Sequence, residues 1–156
     1  MLLKNRRNQQ WEEAKIVSVD EKSIRKVIQS QTFGFDWKLE LQQEREVYQI
    51  TLLDQEDKVL GLLSLSDIEA ELRIHINLIE VSEENKGKEK HFDRIAGCLL
   101  AFACEMSVSK GYQGFVSLVS KTKLIEHYCN KYGFRPYGPM LAIEPENATQ
   151  LIDEYL

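Results

Sequence analysis

The segment NKGKEKHFDRIAGCLL, Asn85 to Leu100, places Lys86, Lys88, Lys90 and Arg94 within nine positions. The chain around it is acidic, with 25 Asp and Glu against 20 Lys and Arg and a net charge of −5. Cations gathered just before a small-residue and apolar run suit an anion. A helix starting at Ile95 would turn its free N–H groups and the positive end of its dipole toward the loop. Ala96 and Gly97 would let a ligand approach the backbone. Lys86, Gly87, Lys88, Lys90, Arg94, Ile95, Ala96 and Gly97 are therefore candidates to hold a pyrophosphate or a ribose phosphate. The same composition also describes a solvated surface loop, since charge runs are commonly just surface.

Other chemistry-bearing residues are sparse. The three cysteines, Cys98, Cys104 and Cys129, form no C-x-x-C pair, and an odd count fits a reducing compartment. Cys98 and Cys104 fall in the apolar run and read as small buried hydrophobes. No His, Cys and Asp grouping has metal-ligand spacing, so no metal is expected. The aromatics Phe33, Phe35 and Trp37 would line a pocket or fill a core. The net negative charge argues against nucleic-acid binding.

The elements that must position these residues follow from periodicity. Ala14–Val19 alternates and is β-branched, which predicts a strand. Asp20 would cap a helix over EKSIRKVIQSQ, with Ile24, Val27 and Ile28 on one stripe. TFGFDWKLELQQ fits either a packed loop or a short helix. Val47–Leu53, Val59–Ile68 and Leu72–Ser82 read as three consecutive strands with short connections, an antiparallel meander. After the basic loop, IAGCLLAFACEMSVSKG predicts a helix, Gly114–Ser120 a buried strand, KTKLIEHYCNKY a second helix, PMLAIEP a last strand and ENATQLIDEYL a terminal helix. The β-α-β step implies parallel strands joined by a right-handed crossover. The expected fold is an α/β (α+β) mixed sheet of six to seven strands flanked by helices, with the antiparallel meander followed by β-α-β-α-β. Length favours a single domain over residues 1–156. The N-terminal MLLKNRRNQQWEE lacks the apolar length of a signal peptide, and no run nears a membrane span, so a cytoplasmic location is expected.

The segment from Leu72 to Phe134 resembles the acetyl-CoA-binding half of GNAT-type N-acetyltransferases. LIEVSEENKGK, HFDRIAGCLLAFA, GFVSLVS and LIEHYCNKYGF follow that family's order of strand, basic loop, helix, strand and Tyr-bearing helix. Its loop pattern is Gln/Arg-x-x-Gly-x-Gly/Ala. With Leu99 and Leu100 in register, Ala96 takes the last small position, Arg94 the first glycine and His91 the Gln/Arg position. An insertion of about five residues between Gly87 and Arg94 accounts for the departure.

The resemblance implies a single acyl-CoA N-acyltransferase-like domain that moves an acetyl group from acetyl-CoA, as cosubstrate, directly to an amine. No covalent enzyme intermediate is implied. The Val81 N–H, at a bulge in the strand before the loop, would polarise the thioester carbonyl. Tyr128 would supply the proton to the leaving thiolate, although this helix has one residue more than usual before its glycine, and Tyr132 and Cys129 are its neighbours. His75 or Glu80 would act as base, with Asn77 at the other position this family uses on the strand. His91 and His127 are less well placed. The resemblance leaves the amine acceptor open. The alternative is an inactive acyl-CoA-binding or protein-interaction module on the same fold. Exposed strands and the C-terminal LIDEYL would suit a homodimer, and neither a membrane nor a nucleic-acid partner is expected.

Overall fold

The computed structural model describes residues 1–43 and 45–156. The chain runs β1 (Leu2–Asn5), β2 (Trp11–Ser18), α1 (Glu21–Gln29), α2 (Trp37–Gln42), β3 (Glu46–Leu52), β4 (Val59–Ile68), β5 (Arg73–Val81), β6 (Phe92–Asp93) and α3 (Ile95–Ser109). It continues through β7 (Val116–Leu118), α4 (Thr122–Tyr132), β8 (Arg135–Tyr137), β9 (Met140–Ile143) and α5 (Pro145–Tyr155). The strands hydrogen-bond in the order β6-β1-β2-β3-β4-β5-β7-β9-β8, so among the described residues the sheet has nine members where six to seven were expected. The additional strands, β1, β6 and β8, have two to four residues each, too short for alternation to show.

Backbone contacts divide the chain into two compact units, Met1–Ser64 with Leu78–Leu99, and Leu65–Asn77 with Leu100–Leu156. In the first unit, β1 pairs antiparallel with β2 and with β6, and β2 pairs antiparallel with β3. Asp20 caps α1 by accepting from the Ser23 N–H at 2.8 Å. That turns Ile24 and Val27 inward, where they pack with Val19, Trp37, Val47 and Leu62. The ambiguous stretch resolves in part as a helix. Asp36 accepts from the Leu39 N–H at 3.1 Å and starts α2, which carries Trp37 into the core at 1% exposure.

Glycine in the middle of β4 has a steric cause. A Cβ on Gly61 would meet Ile95 Cγ2 at 2.8 Å and Leu99 Cδ1 at 3.1 Å. The start of α3 therefore lies directly on this strand, which fixes where the helix begins.

In the second unit, β5 and β7 pair in parallel, from Ile74↔Val116 to Ile76↔Leu118, as the β-α-β reading requires. β9 is antiparallel to both β7 and β8. α4 ends at Gly133 with φ of +74°, the left-handed stop that glycine provides without a Cβ penalty.

Candidate functional site

Glu80 is the most heavily engaged carboxylate of the expected set. It sits on β5 at 6% exposure. Its oxygens accept from the Gly34 N–H at 2.7 Å, the Phe35 N–H at 3.2 Å and Trp37 Nε1 at 2.8 Å. Lys86 Nζ lies 3.2 Å away. Burial by itself pushes the carboxyl pKa up, but the hydrogen bonds from Trp37, Gly34, Phe35 and Lys86 outweigh it and hold it below its usual value. A carboxylate this fully accepted is an anchor for the 34–37 segment and a poor proton acceptor. The expected base role does not fit it.

β5 ends at Val81, and Ser82 donates its N–H to the Leu60 carbonyl at 2.8 Å. The loop that follows is braced from inside. Asn85, only 4% exposed, donates from Nδ2 to Ser82 Oγ and accepts the Phe92 N–H on Oδ1, at 2.8 and 2.9 Å. One buried amide thus clamps both ends of the inserted stretch.

The cations of the loop divide into two kinds. Lys86 pairs with Glu80 and with Glu83, at 3.2 and 3.1 Å, and Lys90 pairs with Asp93 at 2.7 Å. Lys88 is exposed, and its ammonium has no partner among the described residues. Gly87 has φ of +71° and open space around it.

Arg94 adopts φ of +80°, the left-handed region in which the family pattern places glycine. Its Nε donates to the Leu2 carbonyl at 3.2 Å, and its guanidinium lies 5.5 Å from the centre of the Trp11 ring. Immediately after it α3 begins. The first turn of this helix closes from the Cys98 N–H to the Arg94 carbonyl at 2.9 Å, so the N–H groups of Ile95, Ala96 and Gly97 precede the helical ladder. These are the N–H groups that the sequence reading offers to an anion. Gly97 is buried and Ala96 half-buried.

The N-terminal hairpin adds cations that sequence spacing did not connect to the loop. Pairing of Lys4 with Asp93 and of Asn5 with Phe92 lays β1 against β6. The Arg6 N–H donates to the His91 carbonyl at 2.8 Å, and the Arg6 guanidinium to the Lys88 carbonyl at 3.2 Å. Arg7 reaches His91 Nε2 at 2.5 Å. His91, expected at the Gln/Arg position, is therefore a contact between hairpin and loop.

The remaining expected residues belong to the second unit. His75 is the register partner of Ser117 across β5 and β7, with Nδ1 and Oγ 2.9 Å apart. Arg73 donates to the same hydroxyl and lies 3.2 Å from His75 Nδ1. A guanidinium can only donate, so Nδ1 is the accepting nitrogen and the ring proton belongs on Nε2. His75 therefore presents a donor where a base would need a lone pair. Asn77 donates to Ser66 Oγ at 2.8 Å.

Tyr128 is half-buried on α4 and stacks edge-on to Phe134, with ring centres 5.7 Å apart. Its hydroxyl has no hydrogen-bond partner among the described residues. Burial raises its pKa, so the phenol stays protonated, the form a proton donor needs. Burial also pushes the thiols of Cys98 and Cys104 up to about 11 and about 12. Neither is a thiolate near neutrality. Among the described residues, no group of three or more His, Cys, Asp or Glu side chains could hold a metal ion, and no helix is long and apolar enough to cross a membrane.

No family model and no curated protein matches the sequence. Solved structures do match. AtaTR bound with acetyl-CoA is 12% identical, covers 89% of this chain and 98% of its own, and superposes with a TM-score of 0.61. A Bacillus subtilis acetyltransferase in complex with CoA is 13% identical, covers 85% and 99%, and also scores 0.61. AtaT complexed with acetyl-methionyl-tRNAfMet is 12% identical, covers 89% and 99%, and scores 0.58. That last neighbour holds a nucleic acid, so the expectation of no nucleic-acid partner rests on net charge alone and draws nothing from the fold. Over 85 to 89% of its length, this chain shares the fold of these acetyltransferases, the fold that the GNAT resemblance implies.

Proposed function

We propose that the protein moves an acetyl group from acetyl-CoA directly to an amine acceptor. The observation that carries this is the start of α3. Its Ile95, Ala96 and Gly97 N–H groups, which precede the helical ladder, follow a loop braced by Asn85, and that loop follows the strand that ends at Val81. These N–H groups, with Gly87, would hold the cosubstrate's pyrophosphate. The Val81 N–H is assigned to the thioester oxygen, where negative charge grows during attack.

In this reading the amine, neutral after losing a proton to solvent, attacks the thioester carbon. A C–N bond forms, the C–S bond breaks, and Tyr128 gives its proton to the departing sulfur, while the proton left on the new amide nitrogen passes to solvent, from which the Tyr128 phenolate is reprotonated. His75 contributes the Nε2–H as a donor, and Glu80 holds the 34–37 segment. The elevated thiols of Cys98 and Cys104 fit transfer without a covalent enzyme intermediate.

The test is release of free thiol from acetyl-CoA in the presence of an amine panel. Because AtaT is seen with an acetylated aminoacyl-tRNA, the panel includes an aminoacyl-tRNA beside polyamines and peptides. Thiol release with one acceptor is the expected result. A second reading, a CoA-binding protein without turnover, is favoured by Lys86 and Lys90 being already neutralised. Calorimetric CoA binding with no thiol release would support it. No CoA binding would overturn both.

A further inference from the structure

We infer that Arg7 and Lys88 form a second phosphate subsite, which takes the ribose 3′-phosphate of CoA. The inference rests on the acetyl-CoA reading above. CoA carries a pyrophosphate and, on its ribose, a separate phosphate monoester that bears the higher charge density. The helix end accounts only for the first. The second needs cations that are not already spent on carboxylates.

Most of the loop's own charge meets that condition poorly, because Lys90 is committed to Asp93 and Lys86 would first have to leave Glu80 and Glu83. Arg6 also faces Asp93, at 3.8 Å. Arg7 and Lys88 have no carboxylate partner among the described residues. The Arg7 side-chain contact is the His91 ring at 2.5 Å, and both Arg7 and Lys88 are exposed.

The backbones that carry them are held in place. The backbone of Arg7 donates to Asn5 Oδ1 at 2.9 Å, an Asx turn that shapes the hairpin. The adjoining residue is tied to the loop at both ends, through the His91 and Lys88 carbonyls. Arg7 of the hairpin therefore reaches the stretch 88–91 that carries Lys88, and this stretch leads through β6 and Arg94 into the helix end. Preorganisation of this kind lowers the ordering cost of binding. Arg supplies a forked donor and Lys a point charge, the pairing that recognises a phosphate monoester.

The experiment compares calorimetric binding of CoA and 3′-dephospho-CoA to the full chain, at low salt. The unaltered protein should bind CoA roughly tenfold or more tightly than dephospho-CoA, the scale of one charge-assisted contact. The double variant Arg7→Ala/Lys88→Ala should bind both ligands alike, with its dephospho-CoA affinity unchanged. Both positions are exposed, and far-UV circular dichroism checks that the variant is folded. Equal affinity of the unaltered protein for the two ligands would overturn the proposal. So would a double variant that still discriminates, or one that loses the same factor for both ligands. Loss of binding to a labelled single-stranded RNA, with CoA preference intact, would reassign the cations to nucleic acid and overturn it as well. Failure of either ligand to bind at all would instead strike the acetyl-CoA reading beneath it.

Discussion

Glu80→Ala should be the most damaging substitution among the charged residues near the loop. The carboxylate accepts from Trp37 Nε1, and Trp37 is only 1% exposed, so its N–H has no water to turn to. Leaving one buried donor unsatisfied costs about 1 to 3 kcal/mol. The Gly34 and Phe35 N–H groups lie in an exposed segment and rehydrate, adding a smaller loss. Together these give about 2 to 4 kcal/mol, which for a domain of this size lowers Tm by about 5 to 15 °C. Lys86→Ala removes only an exposed partner, 40% accessible, and should cost less than about 1 kcal/mol. Urea denaturation followed by Trp37 emission, in a Trp11→Phe background, measures both. The pH dependence has a definite sign. The folded Glu80 pKa lies below its ordinary value of 4.5, so its stabilisation is complete above that pH. It is lost as the pH falls through the depressed folded value. The stability gap between the unaltered protein and Glu80→Ala should therefore be constant above about pH 5 and narrow below it. Equal losses for Glu80→Ala and Lys86→Ala would refute the view that the N–H groups, and not the ammonium, explain this carboxylate.

Tyr128→Phe should lower kcat about 100-fold with little change in KM, measured by thiol release, and an unchanged kcat would place the proton donor in solvent. Because burial raises the phenol's pKa, the rate should not decline on that residue's account until the pH exceeds the usual tyrosine value of about 10. Arg94→Gly should be about 1 kcal/mol more stable than Arg94→Ala in urea denaturation. Both lose the Leu2 and Trp11 contacts, but only glycine relieves the φ of +80°. Thr51→Val should raise the unfolding free energy in urea by about 1 kcal/mol, since Thr51 Oγ1 is buried without a partner among the described residues and valine keeps the shape.

The elements that sequence periodicity specifies are the long ones. Val59–Ile68 matches β4 residue for residue, and α3 begins at Ile95 as the apolar run requires. What escaped was nonlocal. β6 is a strand only because β1 lies beside it, and nothing in HFD alone announces that pairing. Asn85 looked like an ordinary loop polar residue, yet its clamp on Ser82 and Phe92 is what makes an inserted loop rigid. The signal for it was indirect: an Asn closing the acidic turn Glu83–Asn85, with an aromatic seven residues on. His75 was placed correctly on its strand, but its chemistry depends on Arg73 and Ser117, one of them 42 residues away. Spacing can bring a His to a face. It cannot say which nitrogen keeps the proton.

The ion pairs of the loop need not exclude a ligand. An exposed pair contributes about 0 to 1 kcal/mol, whereas a phosphate offers Lys86 a charge-assisted bond of about 1.5 to 3 kcal/mol. Lys86 can leave Glu80 without cost to the anchor, because three N–H donors remain on that carboxylate. It also leaves Glu83, which is exposed and resolvates. Lys90 is in a different position. It shares Asp93 with Arg6, and Asp93 belongs to the strand pairing that holds the hairpin. Moving Lys90 would loosen the segment that carries Arg7. The loop's cations therefore have separate work. Lys86 is exchangeable, Lys90 fastens the hairpin, Arg94 bends the chain into the helix, and Lys88 is open to an anion. An acidic chain can gather positive charge here because most of it is committed to structure, and the portion left for a ligand is completed from the other end of the sequence.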